Sequence, residues 1–355
     1  MLFVGVDLHK QTITLAVVDS SRKLLARKRF SNLQTDLIRL FLEEHKPCRL
    51  TVEATASYEW FVKLVEPIVD QIILAHPGKL RIIATSTRKS DNLDAKVLAE
   101  MLASDQIPPA YRPTPRQREH RGYVRHRKFL QRRITSVRNK IRRILSDHNQ
   151  DIPNLFTRIG LAYLAGLNLP PSDRFCADQL LAMWHSYRQQ LRQVNRQIVA
   201  FIASATESEQ EDRTLLQTIP GIGPITTEVI LAELADWRRF PSMKKVASDA
   251  GIVPGQRESA GKRKALHIEK TGSALLRSVL VQSAWQAVKR SSRWRGIYER
   301  MRKRTGTKKA IVAISRRLLG VSYCILKSRR PYEEAPIATK ESTTTNSVTT
   351  RKSLA

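Results

Sequence analysis

The chain is short of cysteine, short of acid and free of long apolar runs, and each scarcity closes off a class of protein. Its three cysteines, Cys48, Cys176 and Cys324, are odd in number and far apart. Neither a disulfide framework nor a cysteine metal cluster is expected, and a reducing cytoplasm suits such a chain. No apolar run approaches the roughly 20 residues of a membrane span, and no charged segment leads into an apolar one at the N-terminus. Acids number 32 against 62 lysines and arginines, which leaves a net charge of +30. An excess of that size calls for a polyanion. Without a lipidation motif, nucleic acid is favoured over a membrane surface.

The charge is unevenly spread. Residues 1–110 hold 15 basic and 13 acidic residues, so this region is near neutral. Residues 112–150 hold 13 basic and 2 acidic, and residues 238–330 hold 25 and 4. Polyanion binding is therefore expected after residue 110, and a different task before it.

That first region opens on Phe3-Val4-Gly5-Val6, a short apolar strand ending at Asp7. A carboxylate beside a buried strand needs a positive partner, Lys10 or a metal ion; otherwise Asp7 is a turn former. Strands over Thr12–Asp19 and Leu24–Arg29 follow, then a helix over Leu33–Glu44, a strand over Arg49–Val52, a helix over Tyr58–Val65, and short strands at Ile72–Ala75 and Arg81–Ala84. The order βββαβα predicts a mixed α/β sheet of RNase H-like type. An actin-like ATPase would place a glycine-rich phosphate loop after the first strand, where Leu8-His9-Lys10 stand here.

More carboxylates occupy comparable positions. Glu53 leaves the end of the Arg49–Val52 strand, and Asp91 and Asp94, three apart in SDNLDAK, fall on one face if that segment is helical. Capping at the start of a helix is the alternative reading of the last pair. Four converging acids repel one another unless divalent cations lie between them, and hard oxygen ligands around Mg²⁺ are suited to phosphodiester chemistry.

Prolines at 108, 109, 113 and 115 predict a linker over 107–115. Beyond it, Leu130, Ile134, Val137, Ile141 and Ile144 recur at heptad spacing, and so do Leu180, Trp184, Tyr187, Leu191, Val194, Ile198 and Phe201. Long helices are expected, as a hairpin packed on itself or as a coiled coil between subunits. Their arginines, Arg132 and Arg133 among them, have few local acids and are expected to meet phosphate. Pro220-Gly221-Ile222-Gly223 predicts a helix-hairpin-helix-like turn whose backbone approaches a phosphate. A basic loop carrying Arg257, Ser259, Lys262 and Arg263 follows Gly251-Ile252-Val253-Pro254. A helix is expected over 273–288, with Trp285 packed in the core, and the Thr- and Ser-rich tail over 333–355 is expected to be disordered.

With GVDLHK, TVEAT, SDNLDAK, PGIG and GIVP in this order, the chain resembles insertion-sequence transposases that carry an N-terminal RuvC-like DEDD domain and a C-terminal serine-bearing domain. The likeness covers roughly residues 1–332. It implies a RuvC-like domain over 1–106, the linker, a coiled-coil region over 116–207 and a mainly helical transposase domain over 208–332. It also implies that Asp7, Glu53, Asp91 and Asp94 hold Mg²⁺ and that Ser259 is a nucleophile. Ser248 and Ser273 are alternatives, because Ala260 stands before Gly261 where the family pattern has glycine next to the serine. The resemblance further implies donor and target DNA, a structured bridge RNA as guide, and dimers that pair into a tetramer, in the bacterial cytoplasm and on the nucleoid when acting. From the residues alone, a hydrolytic RuvC-like nuclease and a non-catalytic nucleic-acid scaffold stay open.

Overall fold

A computed structural model describes residues 1–55, 57–80, 94–259 and 262–334, with side chains at 256–259 and 262–266 outside the description. The expected strand at Arg81–Ala84, Asp91 and nearly all of the tail lie outside the described residues. The chain forms two compact units, Met1–Arg112 and Pro113–Ala355.

The first unit is built on a five-stranded sheet in the order β3-β2-β1-β4-β5, from β1 (Leu2–Leu8), β2 (Thr12–Val18), β3 (Leu24–Ser31), β4 (Cys48–Glu53) and β5 (Gln71–Ala75). β1 pairs antiparallel with β2 and parallel with β4, which pairs parallel with β5. Alternation divides the sheet into two faces. Val4, Val6, Leu50 and Val52 pack on one face against Ile38, Phe41 and Leu42 of α1 (Thr35–Glu43) and Phe61, Val62 and Val65 of α2 (Tyr58–Val65). Burial of each such side chain stabilises by about 1.5–3 kcal/mol. The other face is covered by α3 (Ala95–Ala103), whose Leu98, Met101 and Leu102 form a smaller core.

Gly5 sets the closeness of that second contact. A Cβ there would lie 2.0 Å from the Ala95 carbonyl and 2.4 Å from the Ala99 nitrogen, so α3 rests directly on the β1 backbone. The proline-rich segment that follows is partly paired. His76 donates to the Pro108 carbonyl at 2.8 Å and Ala110 to that of Leu74 at 2.7 Å, an edge position that prolines tolerate because it asks no N–H of them. Arg112 then joins Glu66 at 2.8 Å and Glu59 at 3.1 Å, hydrogen bonds that raise its already high pKa.

The second unit is mostly helical. α4 (Pro115–Asp147) starts at a capping box in which Thr114 and Gln117 bond reciprocally, with Pro115 in the first helical position. It runs antiparallel to α6 (Pro171–Ala203), with α5 (Arg158–Gly166) between them. Leu130 meets Val194 and Ile198, while Val137, Ile141 and Leu145 share a core with Ala177 and Trp184. The two heptad stripes thus seat on each other within one chain.

A globular core follows from α7 (Glu207–Gln217), α8 (Pro224–Leu234), α9 (Met243–Asp249), α10 (Ala274–Arg290), α11 (Ser292–Thr305) and α12 (Thr307–Ser328). Leu216, Ile230, Val246, Leu280, Ile314 and Leu318 lie at its centre. The root of α4 is fixed to α8 by charge. Arg213 forks onto Glu228 at 2.9 and 3.2 Å, His120 lies 2.8 Å from the same carboxylate, and Arg125 forks onto Glu233.

Two expectations are corrected here. The basic segment after Pro254 is a two-stranded antiparallel hairpin, β6 (Pro254–Ser259) and β7 (Lys262–Ile268), where a loop was expected. Its pairing joins residues across the turn and leaves no local period. Trp285 is 36% exposed, while its neighbours Trp294 and Tyr298 are buried. Its ring stands edge-on to Tyr298 at 5.5 Å.

Candidate metal and nucleic-acid site

Asp7 and Glu53 come together through strand register. β1 and β4 pair in parallel up to Val6 and Val52. The next residue on each strand is therefore an acid, and alternation turns both toward the face that α3 covers. Asp94 stands at the start of α3 as its N-cap, and its Oδ1 accepts a 2.9 Å hydrogen bond from the Val97 N–H. The helix begins at Ala95 with Asp94 as its N-cap, and the relation of Asp94 to Asp91 lies outside the described residues. Ala95 lies over Gly5, two residues before Asp7, so the start of α3 faces the Asp7 end of β1. Asp94 Oδ2 lies 3.9 Å from Arg27 Nη2.

Among the described residues no group of three or more His, Cys, Asp or Glu is arranged to hold a metal. What the described part supplies is a register-matched pair of carboxylates, with a third acid at the adjacent helix start. As hard oxygen donors they suit Mg²⁺ over softer metals. His9 was missed by the motif reading. Its Nε2 lies 3.1 Å from Asp7 Oδ2, and the ring is mostly exposed; the sequence signal was its spacing two residues beyond the acid. Arg27 was missed because nothing local in sequence links it to Asp94.

Ser259 is the last residue of β6, opposite Lys262, with Arg257 opposite Lys264 and Glu258 opposite Arg263. The base of the hairpin is closely packed. Gly251, at φ +63°, crosses the backbone of Thr271 and Gly272 so closely that a Cβ would lie within 2.8 Å of their nitrogens. Arg277 donates to the Ala250 and Gly272 carbonyls at 3.0 and 2.7 Å. Of the alternative serines, Ser273 caps α10 by accepting from the Leu276 N–H at 3.1 Å. Ser248 lies exposed on α9.

The PGIG glycines have different duties. Gly221, at φ +86°, is packed against α10, where a Cβ would lie 2.4 Å from the Ser283 carbonyl. Gly223 is exposed and caps α8 with open space around it. The arginines of α4 also divide. Arg116 pairs with Glu209, Arg125 with Glu233, Arg142 with Asp151 and Arg143 with Asp147. Counting acids nearby in sequence underestimated these partners, since three of the four come from beyond α4. Arg132 and Arg133 remain exposed, the latter over the exposed Phe129 ring at 5.0 Å. Burial, then the charges of Arg132 and Arg127, pull the Lys128 ammonium below its ordinary pKa. This face is crowded with like charge, which a polyanion would relieve.

Two family models match the chain, the first running from the sheet unit past Arg112 into α4. Residues 4–150 match the DEDD transposase model of the IS110 group, and residues 213–299 match the "Transposase IS116/IS110/IS902 family" model. The transposase for insertion sequence element IS1328 of Yersinia enterocolitica is 26% identical over 79% of this chain and 82% of its own length. A probable family 20 transposase of Pseudomonas aeruginosa is 23% identical over 81% and 84%. The pilin gene-inverting protein of Moraxella lacunata is 25% identical over 94% and 98%. The DEDD match carries an RNase H-like fold and a divalent-metal dependence for the unit holding Asp7 and Glu53. With one model matching from the sheet unit into α4 and the other within the helical unit, the chain belongs to the IS110/IS116 family of transposases.

Proposed function

We propose that the protein is a Mg²⁺-dependent, RNA-guided DNA recombinase that cuts and rejoins strands through Ser259. The register of Asp7 beside Glu53 at the ends of β1 and β4 carries this reading. It gives two hard-oxygen ligands on one face, with Asp94 and Asp91 as the expected remainder of the set. Mg²⁺ bound there supplies positive charge to a phosphoryl transition state. The Ser259 hydroxyl attacks phosphorus, its proton passing to a base. The phosphodiester P–O bond breaks, and the leaving sugar oxygen takes up a proton. The resulting phosphoserine ester conserves the bond energy for rejoining, and Arg257, Lys262 and Arg263 provide neighbouring positive charge.

A relative named for gene inversion supports cutting with rejoining, since inversion of a DNA segment needs both. The basic α4 face supports nucleic acid as the partner; a structured guide RNA, donor and target DNA, and dimers pairing into a tetramer belong to the same proposal. The test uses purified protein with RNA, donor and target DNA in Mg²⁺. A denaturation-resistant protein–DNA adduct is expected from wild type and not from Ser259→Ala, and Asp7→Ala should abolish cleavage. An adduct that persists in Ser259→Ala refutes the serine. Cleavage by Ser259→Ala without any adduct would instead establish hydrolysis by water.

A further inference from the structure

We propose that Arg29 and Arg27 of β3 are positioning residues that grip the nucleic-acid phosphate flanking the one held at the acids. The strand would then cross β1, β2 and β3 transversely. This rests on the reading of Asp7 and Glu53 as the metal-binding acids.

Register supplies the geometry. Asp7 is paired with Thr14, and Thr14 with Arg29; Gly5 is paired with Ala16, and Ala16 with Arg27. Residues opposite one another across a sheet project to the same face, so both arginines share the face of Asp7. Phe30, between Lys28 and Arg29 on one side and Ser31 on the other, turns to the opposite face and is buried in the core there. Glu53, Asp7, Thr14 and Arg29 thus form one row across four adjacent strands, acid at one end and guanidinium at the other. Two strand spacings separate Asp7 from Arg29, roughly 10 Å between backbones. An arginine side chain and a phosphate together bridge that gap.

The row is open. α3 covers the neighbouring row, where Gly5 touches its backbone and Ala16 is fully buried, whereas Asp7 and Thr14 are partly exposed and Arg29 is exposed. β3 is also the edge strand of the sheet.

The arginines are under-used for stability. Arg27 reaches Asp94 only at 3.9 Å, with the two side chains 49% and 41% exposed, a pairing of the kind that contributes little. Arg29 donates from Nη2 to Thr12 Oγ1 at 3.2 Å, and among the described residues no acid lies within ion-pair distance of it. Two guanidinium forks left facing water beside a phosphoryl-transfer site are suited to phosphate oxygens, which they engage in bidentate fashion.

The test is binding of a fluorescent DNA duplex by the full chain in EDTA across a KCl series. Wild type, Arg29→Ala, Arg27→Ala, Arg29→Lys and the double alanine variant are compared. Each alanine variant should weaken binding roughly three- to tenfold and lower the magnitude of the log–log salt slope by about 0.9. The double variant should lower it by about 1.8. Arg29→Lys should keep the slope while losing part of the affinity, which separates charge from fork geometry. In Mg²⁺, Arg29→Ala should raise KM for cleavage more than it lowers kcat. Unchanged slope and affinity in both alanine variants overturn the assignment. If wild type binds with the arginine-dependent slope but never cleaves in Mg²⁺, the metal reading falls and the phosphate grip stands. If cleavage occurs and the slope ignores both arginines, only the grip falls.

Discussion

Replacing Gly5 by alanine tests whether the close seating of α3 on β1 builds the acid site. The added Cβ would stand 2.0 Å from the Ala95 carbonyl oxygen and 2.4 Å from the Ala99 nitrogen, both backbone atoms of the helix. Ordinary contact begins near 3.4 Å, so the helix must retreat by about 1.4 Å, the difference between 3.4 and 2.0. Neither obstacle is a side chain that could swing aside. Overpacking of this kind costs about 1–3 kcal/mol, occasionally more. The retreat also opens a gap beneath Leu98, Met101 and Leu102, which forfeits a quarter to a half of the dispersion energy at each loosened contact. A loss of about 3 kcal/mol is expected for the N-terminal unit. Because Asp94 caps the helix that moves, the acids also separate, and a displacement of about 1 Å at a reacting centre costs roughly 10²-fold in rate. Hydrogen exchange on β1 and α3 reads the first effect, and Mg²⁺-dependent strand cleavage by the full chain reads the second. Gly122→Ala is the control, since a Cβ there meets nothing within 4 Å. A helix-interior alanine should stabilise by about 0.5–1 kcal/mol. Wild-type exchange and wild-type cleavage in Gly5→Ala would refute the reasoning.

Thiol reactivity should divide the cysteines. Burial, with the nearby Asp70 charge, pushes the Cys48 thiol up to about 11, while Cys176 and Cys324 are exposed; titration of the native protein with a disulfide reagent at pH 8 should give two fast groups and one slow, and three fast groups would contradict the placement of β4. Burial pushes Glu228 upward, but the hydrogen bonds from His120 and Arg213 and the Arg213 charge outweigh it and hold the carboxyl below its ordinary value. A depressed folded pKa contributes stability that is full above the unfolded value, about 4.3, and is lost as pH falls below it, so acid should loosen the α4–α8 joint. Glu228→Leu would strand the buried Arg213 charge and should cost about 3–5 kcal/mol in urea unfolding, most of it recovered by adding Arg213→Met; a cost under about 1 kcal/mol would refute the joint.

Much of the fold was legible because its signals are periodic. The strand expected over Thr12–Asp19 is β2, Thr12–Val18, and the one expected over Leu24–Arg29 is β3, Leu24–Ser31. The heptad positions Leu130, Val137 and Ile141 are buried against α6, as a seam of that spacing requires. Whether the seam closed on itself or on another subunit could not be read, since the same stripe serves both. The β6–β7 hairpin was invisible for a related reason. β6 reads Pro-Gly-Gln-Arg-Glu-Ser and β7 opens on Lys-Arg-Lys, so the pair lacks the apolar alternation that marks a half-buried strand.

The members of the proposed acid site stand out in the sequence, and their surroundings do not. Asp7 and Glu53 stand out because each follows an apolar strand, a pattern confined to a few consecutive residues. Asp94 carried two meanings in the sequence, cap and ligand, and the structure shows the cap. Its Oδ1 is committed to the Val97 N–H, while Oδ2 points toward Arg27. If Asp94 is also a ligand, as proposed, the cap would fix its orientation before a cation arrives and lower the entropy lost when the second oxygen is engaged. Arg27 and Arg29 had no such local sign, because their relation to Asp7 exists only through two successive antiparallel pairings, β1 with β2 and β2 with β3. A one-residue slip in either ladder would send both guanidinium groups to the core face. Val4, Val6, Ile13, Leu15, Val17 and Phe30, buried together on that face, forbid the slip. The apolar pattern that folds the sheet therefore also sets which charges stand beside the acids.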